Sequence, residues 1–386
     1  MININEVITR RVTNVIPNKV KLEEMLKSGK KLNVYLGIDP TATRIHIGHA
    51  VALRKLQEFV ELGHNVTFLI GDFTALIGDT SDKDTERPVL TYKQIKKNFL
   101  TYKKQASKIV DFKKVTVKFN SSWLSKLKFA EIIKLCQEFS FGEFAGRELI
   151  KKRLLDKKRV GLHEALYPVM QGYDSYFMDT DIQIGGADQT FNMQAGRELQ
   201  SKLRNKESCV VVTGYLTGTD GRKMSKSWGN AIWLNDNEDE IYGKIMSLSD
   251  DLIVEYFENA TSVNNDKIKI IKKALSSGVN PVQIKKELAL TIATELINKK
   301  AAISAKIKFE KSFQKHEPEY TLEIKIQKSL ADTVAPFTNL KSAGDAKRLI
   351  QQGGLTINGD VVSDLNYKIK KGDKIKIGKK VFGRLI

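Results

Sequence analysis

Two clusters of side chains in this sequence could do chemistry. His46 and His49 flank Ile47-Gly48 in "RIHIGHAV", directly ahead of an apolar run with helical spacing. Lys223 and Lys226 stand three apart in "GRKMSKSWGN", among serines and between glycines. Three readings suit the histidines: a metal pair, a structural ring pair, or donors to a phosphate. The third follows from position, because free N–H groups and the dipole at a helix N-terminus favour an anion. A metal is poorly supplied here, since no acidic or cysteine ligand neighbours the pair in sequence. Imidazole N–H groups framing Gly48 could instead meet oxygens that gain charge during phosphoryl or nucleotidyl transfer. Lysines on a glycine-bounded loop could follow a migrating pyrophosphate. Taken alone, they read equally as an exposed turn in a lysine-rich chain.

A third group sits in "ALYPVMQGYDS", where Tyr167, Gln171 and Asp174 share one face of a predicted helix. Gln and Asp on a buried face need polar partners. A phenolic hydroxyl would suit Asp174 and an ammonium group would suit Gln171; the alternative is a polar surface helix. Tyr35 lies in "YLGID" beside the glycine-rich turn, and Asp79 is placed at a strand end, as a ligand for an α-ammonium group or as a loop cap. Asp188 and Gln189 follow the glycines of "IGGADQ", where a carboxylate could bind ribose hydroxyls or close an Asx-turn.

The elements that must carry these groups alternate. "KLNVYLGID" predicts a buried strand, "HAVALRKLQEFVELG" a helix ending on Gly63, and "NVTFLIGDFT" the next strand. "TYKQIKKNFLTYKKQASKIV" predicts a helix, "KKVTVKFN" a strand, and "FAEIIKLCQEFS" a helix; "DTDIQIGGADQ" and "SCVVVTGYLTG" are further strands. Such alternation implies right-handed βαβ units and a doubly wound, Rossmann-like parallel sheet in an α/β domain running to about residue 230. Ligands of such sheets collect at the carboxyl ends of the strands. From about Glu238 only helical patterns follow, and "QKHEPEY" reads as a linker. The segment from Ser329 to Ile386 combines a helix, "SAGDAKRLIQQGG", with short strands around "LTINGDVV" and "DKIKIGKKVFGRLI".

Bulk numbers narrow the partners. The 386 residues carry 64 Lys+Arg against 45 Asp+Glu, a formal charge of +19. That balance favours a polyanion, nucleic acid first, with general lysine enrichment as the alternative. The last 58 residues or so concentrate it, with 11 Lys/Arg to 5 Asp/Glu by count. Two distant cysteines, Cys136 and Cys209, argue against a disulfide framework and fit a reducing compartment. The N-terminus lacks the apolar core of a signal peptide, so a cytoplasmic location and no membrane association are expected.

"HIGH" and "KMSKS", in this order on an α/β pattern, resemble the signature pair of class I aminoacyl-tRNA synthetases. With "YLGIDPTA", "GDFTALIGD", "YxxxQxxD" and "GGxDQ" between residues 30 and 235, the chain is similar to the tyrosyl-tRNA synthetase family, in the bacterial branch that keeps KMSKS. The resemblance implies activation of L-tyrosine with ATP to an adenylate and pyrophosphate, then transfer to the 3′ end of tRNA(Tyr). It assigns His46, His49, Lys223, Lys226, Lys83 and Arg87 to catalysis. Tyr35, Asp79, Tyr167, Gln171, Asp174 and Gln189 would line a tyrosine pocket. Asp39, Thr41, Gly48, Asp188 and Lys226 would contact ATP, which Mg²⁺ accompanies, with no protein-bound metal. "DTSDK" and Ala187 depart from the family's usual residues. The resemblance further implies a homodimer. Its domains would be a catalytic domain at 1–236 with a dimerisation insert at about 120–160, a helical domain at 237–318, and a small α+β RNA-binding domain at 329–386. The last resembles a ribosomal-protein-like module, with Lys347 and Arg348 facing RNA. Removing residues after about 325 is therefore expected to impair tRNA charging and spare adenylate formation. The rivals are a tryptophanyl-type synthetase, disfavoured by Gln171 and Asp174, and a synthetase-derived RNA-binding protein without aminoacylation activity.

Overall fold

The computed structural model describes residues 3–41, 43–79, 90–224, 228–314, 320, 322–338, 340–378 and 381–386. Lys83, Arg87, Lys226 and most of the expected linker therefore lie outside the described residues. The chain divides into two compact units, Met1–Ala302 and Ile303–Ile386.

The first unit is built on six strands: β1 (Val12–Ile16), β2 (Asn33–Ile38), β3 (Asn65–Ile70), β4 (Val115–Phe119), β5 (Ile182–Gly186) and β6 (Cys209–Thr213). Their order across the sheet is β1-β6-β5-β2-β3-β4. All pairs are parallel except β1 with β6. The parallel strands form because their apolar runs can be covered on both faces; every residue of β6, "CVVVT", is buried. From β2 the chain proceeds outward through β3 and β4, then returns to the other side as β5 and β6. Side by side at the centre, β2 and β5 thus leave a crevice beyond their carboxyl ends. This is the doubly wound arrangement that the alternation of elements predicts.

Strand β1 lies ahead of "KLNVYLGID", the first strand read from the sequence. Helix Ile4–Thr9 is present, but β1 follows it as an antiparallel edge strand with one buried side chain, Val15. A single inward position gives no alternation to read. Helix Ile47–Glu61 buries Ile47, Ala50, Val51, Leu53, Leu56 and Phe59 against the sheet. It gives way at Gly63, whose φ of 81° is the left-handed geometry that glycine tolerates. Helices Leu162–Phe177 and Thr190–Arg204 pack together beside β5. The first of these is held at its start by a buried ion pair. Arg153, on helix Glu148–Leu155, donates Nη1 to Glu164 Oε2 at 2.6 Å and Nη2 to Oε1 at 2.9 Å, and both side chains are almost fully buried.

The second unit carries a five-stranded sheet ordered β7-β11-β10-β8-β9. Its strands are β7 (Leu322–Ile324), β8 (Leu355–Ile357), β9 (Asp360–Val361), β10 (Lys374–Ile377) and β11 (Val381–Leu385). A core of Ile324, Leu330, Val334, Ile350, Leu355, Ile357, Ile375 and Leu385 joins this sheet to helices Leu330–Val334 and Ala343–Gln351. Three residues long and ahead of Ser329, β7 escapes a patterning argument; it pairs parallel with β11.

Candidate active site

Beyond β2, which ends at Ile38, the chain runs through Asp39 to Thr41. Asp39 is held from two sides: Thr74 Oγ1 donates to Oδ1 at 2.8 Å and Tyr167 Oη donates to Oδ2 at 3.0 Å. Gly71 follows β3 against this carboxylate. A Cβ there would fall within the van der Waals radii of the Asp39 carboxylate and Thr74 Oγ1, so only glycine fits. Tyr167, which the resemblance assigns to the tyrosine pocket, thus also orients the aspartate assigned to ATP.

His46 is the N-cap of helix Ile47–Glu61, in extended conformation, and His49 lies in its first turn. The two ring centroids are 3.9 Å apart, and Lys223 borders the same cleft. Burial, then the neighbouring His49 and Lys223, push His46 down to about 2, so its ring is neutral at physiological pH. Among the described residues, His46 Nδ1 is buried without a hydrogen-bond partner. A Cβ at Gly48 would sit 2.9 Å from that nitrogen; glycine lets the ring fold over the helix start. Among the described residues, no group of three His, Cys, Asp or Glu side chains is arranged to hold a metal ion.

On the other side of the crevice, Asp174 projects from helix Leu162–Phe177 with 2% of its surface exposed. Its two oxygens accept separate hydrogen bonds, from Asn120 Nδ2 at 2.9 Å and Trp123 Nε1 at 2.7 Å. Burial pushes this carboxyl up to about 8; the two donors pull the other way, while Asp39 and Asp72 add to the rise. In its ionised form, which a further donor favours over the neutral one, each oxygen retains a lone pair for such a donor. Tyr35, also buried, donates its hydroxyl to Gln183 Oε1 at 3.1 Å. Burial and the Asp174 charge hold the Tyr35 phenol above its usual range, hence protonated.

Asn120 was not singled out by sequence, yet it joins the two halves. Fully buried just beyond β4, it donates to Asp174 and, at 3.0 Å, to Thr74 Oγ1, while its Oδ1 accepts from the Phe73 N–H at 2.9 Å. A continuous hydrogen-bonded path therefore runs from Trp123 through Asp174, Asn120 and Thr74 to Asp39 and Tyr167. A polar residue ending a predicted strand was the one available signal. Trp123 gave none, since a lone tryptophan reads as core.

Asp79 lies after the one-turn helix Thr74–Ile77 and Gly78, not at a strand end as expected; it accepts from Gln189 Nε2 at 2.7 Å. The short helix intervenes because β3 already stops at Ile70. Asp188, in the turn leaving β5, accepts the hydroxyl of Tyr215 at 3.0 Å, and the ring of Tyr215 lies 4.7 Å beneath Lys223 Nζ. One cleft is lined by Tyr35, Asp39, Thr41, His46, Gly48, His49, Asp79, Tyr167, Gln171, Asp174, Asp188, Gln189 and Lys223. The structure thus brings together every described residue assigned to catalysis, ATP or tyrosine. Lys347 and Arg348 belong to the second unit, exposed on helix Ala343–Gln351.

A doubly wound sheet, parallel but for β1, with a cleft at its switch point and histidines at the start of the helix after β2, is the arrangement of a class I synthetase. The family model described as tRNA synthetases class I (W and Y) matches residues 27–314, and the S4 domain model matches residues 339–375. Tyrosine–tRNA ligase of Carboxydothermus hydrogenoformans is 40% identical, over 99% of this chain and 97% of its own. Tyrosine–tRNA ligase 2 of Clostridium acetobutylicum is also 40% identical, over the whole of both chains. Among solved structures, the tyrosyl-tRNA synthetase of Archaeoglobus fulgidus complexed with L-tyrosine has the same fold, with a TM-score of 0.62 at 21% identity over 79% of this chain and all of that one. The chain belongs to the class I tRNA synthetases, in the branch of the tyrosine–tRNA ligases.

Proposed function

We infer that this enzyme activates L-tyrosine with ATP, releasing pyrophosphate, and transfers tyrosine from the adenylate to the 3′ end of tRNA(Tyr). The observation that carries this reading is Asp174, a carboxylate buried at the end of the cleft and oriented by Asn120 and Trp123. An acceptor fixed in an apolar setting suits the hydroxyl of a phenol. It disfavours phenylalanine, because that ligand brings no donor to the acceptor site that Asn120 and Trp123 leave open on the buried group. Tyr35 closes the same end, and Gln171 with the hydrogen-bonded pair Asp79 and Gln189 lines the part of the cleft assigned to the ammonium group.

ATP, which Mg²⁺ would accompany to offset phosphate charge, enters on the histidine side. Asp39 and Thr41 border the nucleotide, Asp188 suits the ribose hydroxyls, and Gly48 lets the phosphates approach the helix start. The tyrosine carboxylate oxygen attacks the α-phosphorus, the bond to the bridging oxygen breaks, and pyrophosphate leaves. Negative charge grows on the phosphate oxygens at this step. His46, neutral and with a buried unpaired nitrogen, and His49 supply donors there, and Lys223 with Lys226 neutralises the departing pyrophosphate. Lys83 and Arg87 belong to the same task by resemblance. No enzyme-bound covalent intermediate is needed, so positioning and charge stabilisation carry the rate.

The second unit, with exposed Lys347 and Arg348, is assigned to tRNA through salt-sensitive phosphate contacts. A second copy of the chain is the assigned occupant of an apolar face on the first unit, where Phe129, Phe141, Leu155 and Leu162 are more than half exposed. Among the described residues no helix is long and apolar enough to cross a membrane; a cytoplasmic location is the corresponding proposal.

The discriminating experiment is Asp174→Asn. Its kcat/KM for tyrosine in adenylate formation falls about 100-fold, the upper range for a hydrogen bond to a charged group. Selectivity over phenylalanine narrows with it. Near-normal tyrosine kinetics would contradict the assignment.

A further inference from the structure

The hairpin bearing Lys223 is fastened in an uneven way. Beyond β6, Thr217 pairs antiparallel with Lys223, and the Gly218 N–H donates to the Arg222 carbonyl at 2.7 Å. Asn230 seals the base, donating from Nδ2 to Asp220 Oδ1 at 2.7 Å and to the Lys223 carbonyl at 3.2 Å. The outgoing strand is gripped much harder. Glu255 Oε1 accepts the Thr217 N–H at 2.7 Å, and Oε2 accepts the Thr217 hydroxyl at 2.9 Å. Tyr256, fully buried, donates its hydroxyl to the Thr217 carbonyl at 2.6 Å. Two consecutive residues of helix Ile253–Ala260 thus hold all three polar groups of one residue.

The far end of that helix is tied to the last turn of the helix that starts at the histidines. Arg10 donates to the carbonyls of Phe257 at 3.1 Å, Glu258 at 2.9 Å and Thr261 at 2.9 Å. Arg11 donates to the Asn259 carbonyl at 3.3 Å and pairs with Glu58, on the helix that begins beside His46. Guanidinium groups on these last carbonyls also suit the negative end of the helix. One eight-residue helix therefore grips the lysine hairpin with its first turn, while its last turn is fixed to the histidine helix. A turn that only closed the surface would need neither the bidentate carboxylate nor the buried phenol.

We propose that Glu255 is a positioning residue for the ATP step, acting through Thr217 to set Lys223 at the cleft. This rests on the reading above in which Lys223 meets the pyrophosphate. Glu255 touches no substrate, and the tyrosine pocket lies on other elements, so its loss is expected in rate and not in tyrosine binding.

The test measures adenylate formation by rapid quench, and tyrosine binding separately, in full-length Glu255→Ala, Glu255→Gln, Lys223→Ala and the double variant Glu255→Ala/Lys223→Ala. Glu255→Ala slows adenylate formation about tenfold or more, as expected for lost charge-assisted hydrogen bonds, with tyrosine affinity unchanged. Glu255→Gln, which keeps an acceptor for the Thr217 N–H, recovers most of the rate. In the Lys223→Ala background, removing Glu255 costs less than about twofold, because the two act in series. Additive losses, or a parallel loss of tyrosine affinity, would show a general structural role and overturn the proposal. So would a normal rate in Glu255→Ala beside a slow Lys223→Ala. A normal rate in Lys223→Ala would instead overturn the reading of the lysine and, with it, this inference. If Glu255→Ala does not fold, Thr217→Val, which removes only the hydroxyl contact, is expected to give a smaller loss of the same kind; unchanged kinetics in that variant would count against the clamp.

Discussion

In the proposed reaction the histidines serve as donors because of where they stand. His46 is pushed far below the ordinary imidazole range, first by burial and then by His49 and Lys223. A ring that stays neutral does not pair electrostatically with phosphate, so on this proposal its contribution is one N–H directed at the charge that develops during the reaction. Such donors matter most in the transition state. His49→Ala is accordingly expected to slow adenylate formation about 10²-fold or more while changing tyrosine affinity less than about twofold. Rapid-quench kinetics beside equilibrium tyrosine binding checks this, and equal losses would make His49 scaffold. At this scale the sequence was informative for residues linked by short spacing: His46 with His49, and Tyr167 with Gln171 and Asp174. It was silent on Asn120 and Trp123, because their tie to Asp174 spans more than fifty positions and exists only once β4 lies beside the helix. It was equally silent on Glu255, one acidic residue among many on a helical stretch.

Elements were legible where their own residues carry a pattern. The central parallel strands announced themselves as apolar runs, edge strand β4 by the alternation of Val115, Val117 and Phe119 although only Val115 is buried, and helix Ile47–Glu61 as an apolar stripe. Strands β1 and β7, at sheet edges with one buried residue each, gave no pattern. Also unreadable was the pair Arg153–Glu164, since a charge run predicts a solvated face. Its burial has a consequence for stability. Glu164→Leu leaves the Arg153 guanidinium buried without its carboxylate, at an expected cost of about 3–5 kcal/mol. Denaturant unfolding measures this. Adding Arg153→Met should restore much of the loss, because the uncompensated charge is then gone. Equal stability of wild type and Glu164→Leu would contradict the argument.

Over the whole molecule, charge and partition into two units bear on how the synthetase meets RNA. A formal charge of +19 pointed to a polyanion from composition alone, and the S4 match falls in the unit where Lys347 and Arg348 are exposed. A chain ending before Leu322 lacks the whole second sheet but keeps the cleft and the apolar face of the first unit. It is expected to form adenylate at the full rate and sediment at twice the chain mass, while charging tRNA poorly at physiological salt. Unchanged charging would remove the second unit from tRNA binding.

The central claim is that Asp174 and its two donors make this a ligase for tyrosine. ATP–pyrophosphate exchange, run with the full-length protein against each of the twenty amino acids, tests it most directly. Exchange with tyrosine alone is the predicted result, with phenylalanine lower by about 10⁴-fold or more. Exchange driven best by tryptophan or another amino acid, or by none, would contradict it.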